Sequence, residues 1–388
     1  MQNENNKNLA ITLLFMEYSK LRKIFQEHFT NSFPVIKTYK NFSVINDGFP
    51  GTFNLSFSET EFLEEFQDFL DIKHELNYLK IQPCIRHNDF LQILKKHSKK
   101  SYMYLGLFDM AGVCFASKNP QLLNQQTEKL IESVYNFLVE KLKLSNKNIF
   151  IKCFSGGKVA EVTRGKYLID KNIDKDSLSI KKWTGLGIHK DNILSDNTRD
   201  SLLTLYLHRP TPWGYRTEIL YKLPNGEFLD IGTIEYFPWK PLMKDGEIID
   251  FTEWENSCCL VVFGLERLNY LVNNLKHIRE VDSINPIFNR ILKDSQNKDE
   301  NSAFILSECV RTSQRILTDS DGYENLSRNR RRKLGDYTNE MFRILSKLEI
   351  SEDKIKEYLK IHANLSPWYP ELGQKLELVY NDLIKLKK

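Results

Sequence analysis

The sequence predicts an α+β fold, in which a largely antiparallel sheet flanked by helices is followed by an all-helical domain. Between about residues 81 and 265, short apolar runs alternate with polar loops, and one long helical pattern interrupts them. Several of these runs lie at hairpin spacing, which favours antiparallel pairing. Beyond about residue 285 the strand signal fades and helical periodicity continues to the end. We therefore expect a sheet-containing domain over 1–285 and a helical domain over 286–388.

The individual elements follow from local periodicity. Apolar residues at helical spacing predict helices over residues 8–31, 59–79 and 125–144. Short runs rich in β-branched and aromatic residues, bounded by Gly, Pro and polar residues, predict strands. These strands are expected within residues 81–86, 101–116, 149–157, 202–209, 217–223, 228–237 and 258–265.

Composition limits the class of protein. A chain of 388 residues with 41% hydrophobic and 12% aromatic residues can bury a substantial core. The net charge of +4 permits a nucleic-acid partner without requiring one. Six cysteines without C-x-x-C or zinc-type spacing indicate reduced thiols. With no secretory signal and no apolar run near the roughly 18 residues of a membrane span, we expect a cytoplasmic protein without a membrane partner.

An arginine follows the last predicted strand. In "FGLER" (263–267) the apolar run stops at Gly264, and Arg267 lies at the start of a predicted helix. Arginine carries a permanent charge and a planar fork of donors, so this position suits phosphate binding. An exposed arginine that pairs with Glu266 or with water is the other interpretation of this segment.

A second arginine ends the strand at 81–86. Arg86 in "CIRHND" is followed by a polar loop before the chain returns through "FDMAG". The loop contains Lys95, Lys96, Lys99 and Lys100. Such a hairpin is able to place Arg86 on a phosphate and the ring of Phe108 against a base. For the lysines, a solvated loop is the alternative.

Together these motifs resemble the catalytic half of alanyl-tRNA synthetase, a class II aminoacyl-tRNA synthetase. "FGLER" is similar to the third class II motif, and "CIRHND" with "FDMAG" is similar to the second motif without its glycine-bearing insert. "TPWGYRTEILY" (211–221) resembles the family segment G-P-C-G-P-x-T-E-I-F-Y, and "INDGFPGTF" (45–53) is a fainter match. "SECVRTSQRILTDSDG" (307–322) resembles the start of the helical domain that reads the tRNA acceptor stem. The family order is kept along the whole chain.

The resemblance implies a class II synthetase-like sheet and a reaction that uses ATP and Mg²⁺. It assigns Arg86 to the α-phosphate and the substrate carboxylate, Arg267 to the γ-phosphate and adenine, and Phe108 to the other face of the base. Glu218 and Asp230 become candidates for holding magnesium or ordering the arginines. For Asp230, an acid at the surface of a strand edge is the alternative interpretation.

The expected amino-acid pocket departs from the family. Leu260 stands where the family carries an aspartate that pairs with the α-amino group of alanine, and Val262 replaces a glycine. Leu205 occupies the place of a tryptophan beside the substrate. Phe49 either fills space near the pocket floor or packs in the core. Because an unpaired buried ammonium is costly, either another acid holds the amine or the substrate presents none.

The densest basic cluster is "SRNRRRK" (327–333), in the part that resembles the tRNA-reading domain. The resemblance implies contacts with RNA phosphates, and a solvated helix face is the alternative. The candidate residues are Arg328, Arg330, Arg331, Arg332 and Lys333.

We therefore expect an adenylate-forming ligase that activates an amino acid or related carboxylate and transfers it to an amine, a carrier protein or tRNA. Leu260 and the expected lack of the editing and C-terminal domains favour a specialised paralogue outside ordinary translation. A minimal alanine-tRNA ligase and a catalytically silent paralogue that binds tRNA or a partner are the alternatives. The retained pair of Arg86 and Arg267 favours an enzyme.

Overall fold

The computed structural model describes residues 15–39, 43–49, 51–53, 57–95, 103–204 and 209–387. Its strands are β1 (Lys37–Thr38), β2 (Leu76–Ile85), β3 (Leu107–Ser117), β4 (Ile149–Phe154), β5 (Gly157–Lys158), β6 (Asn172–Ile173), β7 (Ile193–Asp196), β8 (Leu202–Leu203), β9 (Trp213–Lys222), β10 (Phe228–Lys244), β11 (Glu247–Glu253) and β12 (Ser257–Gly264).

The helices are α1 (Tyr18–Ser32), α2 (Glu59–Phe66), α3 (His87–Lys95), α4 (Leu122–Asn136), α5 (Val159–Val162), α6 (Ser177–Gly185), α7 (Leu265–Val272), α8 (Asn285–Asp294), α9 (Glu300–Asp319), α10 (Arg328–Lys347), α11 (Lys354–Leu365), α12 (Glu371–Gln374) and α13 (Leu376–Lys385). Within the described ranges, none of these helices has the length and apolar character needed to cross a membrane.

A ten-stranded mixed sheet forms the centre of the molecule. Its strands follow the order β1-β2-β3-β12-β10-β9-β4-β7, with β11 paired to β10 and β8 paired to β9. Only the β1–β2 and β4–β7 pairs are parallel among the described strands. Helices flank this sheet and a helical region follows it, so the predicted fold class is confirmed.

The two faces of the sheet are covered differently. Because side chains alternate between faces along a strand, Val113, Val261 and Ile234 point into the larger core, which includes helices α1 and α4. Met110 and Leu260 point to the opposite face, where α2 supplies aromatic side chains to a smaller apolar cluster. This second face carries the cleft described below.

Helix α9 connects the helical region to the sheet. It is buried from Ser302 to Thr318, with α8, α10, α11 and α13 packed around it. The carboxylate of Glu308 accepts a hydrogen bond from the backbone N–H of Gly106 at 2.7 Å, just before β3 begins. Helices alone follow from α8 onward, whereas the division into two domains near residue 285 stays a prediction.

Two local predictions were wrong. The predicted helix over 59–79 ends at Phe66, and Leu76 already belongs to β2, whose side chains are buried on both faces of the sheet. A fully buried strand loses the polar–apolar alternation that separates strand from helix in sequence. The polar loop predicted after Arg86 begins as helix α3, because Phe90 and Ile93 anchor its inner side. Residues 96–102 lie outside the described ranges.

Candidate active site

An open cleft lies on the second face of the sheet, with an empty volume of about 1090 Å³ that includes its solvent-exposed part. It contains six of the nine residues selected from the sequence for the nucleotide, the magnesium ion and the acid substrate. Of the predicted site residues, the cleft is lined by Arg86, Phe108, Asp230, Leu260, Val262 and Arg267. Strands β3, β10 and β12, helix α7 and the residue that follows β2 therefore converge on a single site.

The two predicted phosphate-binding arginines meet at one end of this cleft. The guanidinium carbon of Arg86 lies 5.7 Å from the ring centroid of Phe108. Arg267 Nη1 donates a hydrogen bond to the backbone oxygen of Asp230 at 3.0 Å and lies 3.4 Å from its carboxylate. The side chains of Arg86 and Arg267 are 43% and 20% exposed, so both reach the space inside the cleft.

Local structure explains why Arg267 faces the cleft. Its neighbour Glu266 turns inward and is buried, and both of its carboxylate oxygens accept the backbone N–H of Asp109 at 3.0 Å. Tyr18 also donates to Glu266, at 3.0 Å. The carboxylate of Glu266 is therefore bonded to Tyr18 and to the backbone of β3 and is not paired with Arg267. Burial raises the pKa of Glu266 to about 8, and the nearby Asp109 adds to this effect.

Two carboxylates accompany the arginines. Asp89 lies 3.9 Å from Arg86. Burial raises the pKa of Asp89 above its ordinary value, and the charges of Arg86 and Arg267 offset part of that rise. Asp89 was not among the residues predicted from the sequence, although its place in "CIRHND" beside Arg86 was a usable signal. In the described part of the chain, Oδ1 of Asp230 is buried without a hydrogen-bond partner. An oxygen of this kind suits a hard cation such as Mg²⁺.

The second predicted magnesium ligand is differently placed. Glu218 lies on β9 outside the cleft lining, and its carboxylate pairs with Lys152 at 2.5 Å. To bind a cation it would have to give up this ion pair. Within the described ranges, no group of three or more His, Cys, Asp or Glu side chains is arranged to hold a metal. A magnesium ion would therefore depend on Asp230 and on the phosphates of a bound nucleotide.

The other end of the cleft is mostly apolar but contains the ion pair of Arg216 and Glu235, which was not predicted from the sequence. Its apolar lining includes Leu260, Val262, Leu203 and Phe57. Nε of Arg216 lies 3.5 Å from Oε1 of Glu235. Glu235 lies in the strand predicted over 228–237, and Arg216 lies just before the strand predicted over 217–223. Their meeting depends on the register of β9 and β10.

The remaining pocket candidates lie apart from this lining. Phe49 is half-buried against the smaller apolar cluster, which agrees with the packing alternative. It also packs beneath the start of α10, where its carbonyl is bound by Arg330. Leu205 lies outside the described residues.

The basic cluster forms the start of α10 but does not act as one surface. Arg330 is only 3% exposed, and its guanidinium donates to the carbonyls of Asn46, Phe49 and Thr52. Arg331 donates to the Leu326 carbonyl at 2.9 Å, and Nζ of Lys333 lies 3.4 Å from the Thr52 hydroxyl. The two members exposed to solvent are Arg328 and Arg332.

Comparison with known proteins gives a consistent but weak similarity. No protein-family model and no curated protein sequence matches the chain. Among solved structures, the chain is similar to a pyrrolysyl-tRNA synthetase from Desulfitobacterium hafniense, with 10% identity, 68% of this chain and 71% of that chain covered, and a TM-score of 0.35. It is also similar to a putative threonyl-tRNA synthetase from Aeropyrum pernix, with 8% identity, 76% and 68% coverage, and a TM-score of 0.38. Values this low assign no function, so the function must be inferred from the cleft itself.

Proposed function

We propose that the cleft binds ATP and activates the carboxylate of an amino acid or related acid as an acyl-adenylate. The observation that supports this most strongly is the convergence of Arg86 and Arg267 beside Phe108 in one open cleft. The nearest carboxylates lie 3.9 Å from Arg86 and 3.4 Å from Arg267, so both guanidinium groups keep donors for an anion that enters the cleft.

The arrangement fits a nucleoside triphosphate in two ways. The guanidinium groups offer permanent charge and paired donors to phosphate oxygens. The ring of Phe108 offers an apolar surface for a base. The guanidinium carbon of Arg86 lies 5.7 Å from the centroid of that ring, so a base that contacts Phe108 would also lie close to Arg86. If magnesium accompanies the nucleotide, it neutralises phosphate charge, and Asp230 is the residue with an oxygen available to hold it.

The reaction we propose requires positioning and charge stabilisation rather than an enzyme nucleophile. A substrate carboxylate oxygen attacks the α-phosphorus, the new P–O bond forms, and the bond to pyrophosphate breaks. Negative charge grows on the phosphoryl oxygens during this step, and Arg86 stabilises it. The acyl group then passes from the adenylate to an acceptor, which releases AMP.

For the acceptor we propose an amine, a carrier protein or tRNA, and Arg328 and Arg332 are the residues we assign to RNA phosphates if tRNA is used. Both are exposed on α10, as phosphate contact requires. Arg330 is left out of this assignment because its donors already serve three backbone carbonyls. The leucine at position 260 in the cleft favours a specialised enzyme over an alanine-tRNA ligase.

The test is ATP/pyrophosphate exchange over a panel of amino and non-amino acids. Arg86→Ala should reduce exchange by about 100-fold or more, the usual effect of removing one donor to a transition-state oxygen. Arg343→Ala is the matched control, because that arginine is 59% exposed on α10 and pairs with its neighbour Glu340.

The alternatives give different results. A strict requirement for alanine and tRNA would favour the alanine-tRNA ligase. RNA binding without exchange for any acid would contradict the proposed enzyme and favour a binding paralogue.

A further inference from the structure

The first residues of β3 have a neighbouring strand on one side alone. Strand β2 pairs with β3 along its whole length, with Ile85 opposite Leu107, whereas among the described strands β12 pairs with β3 only as far as Met110. The stretch 106–109, which carries Phe108 into the cleft, therefore lies beyond the end of β12. Backbone N–H and C=O groups on its open edge need other partners, because unpaired polar groups are costly when buried.

Side chains of the helical region supply these partners. The carboxylate of Glu308 on α9 accepts the backbone N–H of Gly106 at 2.7 Å and lies 3.5 Å from the backbone nitrogen of Leu107. Nη2 of Arg311, one turn further along α9, donates to the carbonyl of Leu107 at 3.3 Å. The N–H of Asp109 is held from α7 in a similar way. Helix α9 therefore takes the place of a second neighbouring strand at the start of β3.

Tyr369, in the segment between α11 and α12, reaches the same stretch. Its hydroxyl donates to Oδ1 of Asp109 at 2.7 Å, and both residues are buried. Burial raises the pKa of Tyr369 above its ordinary value, so the hydroxyl keeps the proton that it donates. The guanidinium carbons of Arg22 and Arg315 lie 5.5 Å and 4.9 Å from the centroid of the tyrosine ring. Tyr369 is therefore held at its ring as well as at its hydroxyl.

Asp109 is the residue that directly follows Phe108. Because side chains alternate along a strand, the carboxylate of Asp109 lies on the buried face while Phe108 lines the cleft. Besides Tyr369, this carboxylate accepts a hydrogen bond from Tyr18 at 2.8 Å and pairs with Arg22. A carboxylate bound by three side chains fixes the backbone from which the Phe108 ring extends.

We propose that Tyr369 is a positioning residue of the nucleotide site. Its bond to Asp109, together with the contacts of α9 on β3, sets the ring of Phe108 against the base. The helical region then forms part of the nucleotide site and is not solely a surface for an acceptor. The inference rests on the proposed function, because it uses the contact between Phe108 and a base.

The experiment compares the affinities for ATP and for inorganic tripolyphosphate, which offers the phosphates without a base, by titration calorimetry. Tyr369→Phe removes one hydroxyl and should weaken ATP binding about three- to tenfold, the usual effect of one hydrogen bond. Binding of tripolyphosphate should stay within twofold of the wild type, because Arg86 and Arg267 extend from other elements. Phe108→Ala should show the same difference between the two ligands.

The double variant tests whether the two residues act on one contact. Tyr369→Phe added to Phe108→Ala should weaken ATP binding no further than Phe108→Ala alone. Additive losses, equal weakening of ATP and tripolyphosphate, or an unchanged affinity for ATP in Tyr369→Phe would overturn the inference.

Tyr358→Phe is the matched control. Tyr358 is buried on α11, and its hydroxyl donates to Asp294 at the end of α8 at 3.0 Å, so this variant removes a bond of the same kind within the helical region. It should keep both affinities. If Tyr369→Phe does not fold, Arg311→Lys, which shortens the reach to the Leu107 carbonyl, is judged by the same two affinities and the same outcomes.

Amide hydrogen exchange without nucleotide separates this inference from the proposed function. Exchange at 107–109 should be faster in Tyr369→Phe than in Tyr358→Phe, and an equal rate would overturn the positioning role. If the wild-type protein binds neither ATP nor tripolyphosphate, the proposed function is overturned. The exchange rates alone then decide whether Tyr369 fixes this part of β3.

Discussion

Arg330→Ala should destabilise the protein without weakening RNA binding, although this residue belongs to the densest basic cluster. The buried guanidinium donates to the carbonyls of Thr52 at 2.8 Å, Asn46 at 2.6 Å and Phe49 at 2.9 Å. It therefore holds the 46–52 segment against α10. Alanine at this position removes all three bonds and leaves a small cavity.

The expected loss is about 3 kcal/mol. Hydrogen bonds that involve a charged partner contribute about 1.5 to 3 kcal/mol each when buried. We use about 1 kcal/mol for each of the three bonds, below that range, because Asn46, Phe49 and Thr52 are only half-buried and water replaces part of the lost bonding. Arg330→Lys should recover little, since an ammonium lacks the planar fork that reaches several carbonyls at once.

Urea unfolding measures the stability change, and amide hydrogen exchange across residues 43–53 locates it. Arg343→Ala serves as the control for loss of a positive charge on the same helix. A change below about 0.5 kcal/mol, the usual range for surface substitutions, with unaltered exchange would refute this role of Arg330. So would a loss of RNA affinity without a loss of stability.

Three further outcomes are expected. Burial raises the pKa of Glu266 to about 8 from an ordinary 4.5, so between these pH values the folded protein retains a proton that the unfolded chain releases. The stabilising effect of this group is therefore complete below pH 4.5 and is lost as pH rises toward 8. Glu266→Gln should flatten that part of the curve of unfolding free energy against pH, measured by urea unfolding. Arg328→Ala and Arg332→Ala should each lower the salt slope of tRNA binding by about 1, and unchanged slopes would remove tRNA contact from α10. Gly112→Ala should lower the free energy of unfolding measured in urea, because a Cβ there would lie 2.6 Å from the backbone oxygen of Val261 on β12 and 2.7 Å from the Phe57 ring; an unchanged free energy of unfolding would contradict this close packing.

Short motifs were sufficient to select Arg86, Phe108 and Arg267, which line one cleft in the structure. Arg86, Phe108 and Arg267 each stand at a strand end or return, where chemistry and local structure are both visible in sequence. The ion pair of Arg216 and Glu235 was not predictable in this way. Arg216 and Glu235 meet only because of the β9–β10 register, and single-strand periodicity carries no information about register.

Helix periodicity could have distinguished the buried arginine of the basic cluster from its exposed members. Arg330 lies four residues before Leu334 and seven before Tyr337, and all three are buried on one side of α10. This i, i+4, i+7 spacing identifies the inward-facing member of the run before any coordinates are known. The contacts it makes, with carbonyls 278 to 284 residues earlier in the chain, required the structure.

The most direct test of the whole account is the affinity of the protein for ATP measured by titration calorimetry on four proteins. These are the wild type, Arg86→Ala, Arg267→Ala and the Arg343→Ala control. If both cleft arginines bind one triphosphate, each of their alanine variants should bind ATP at least tenfold more weakly than the wild type, and the control should bind it equally well. Wild-type affinity in either cleft variant, or no ATP binding by the wild-type protein, would contradict the proposed nucleotide site.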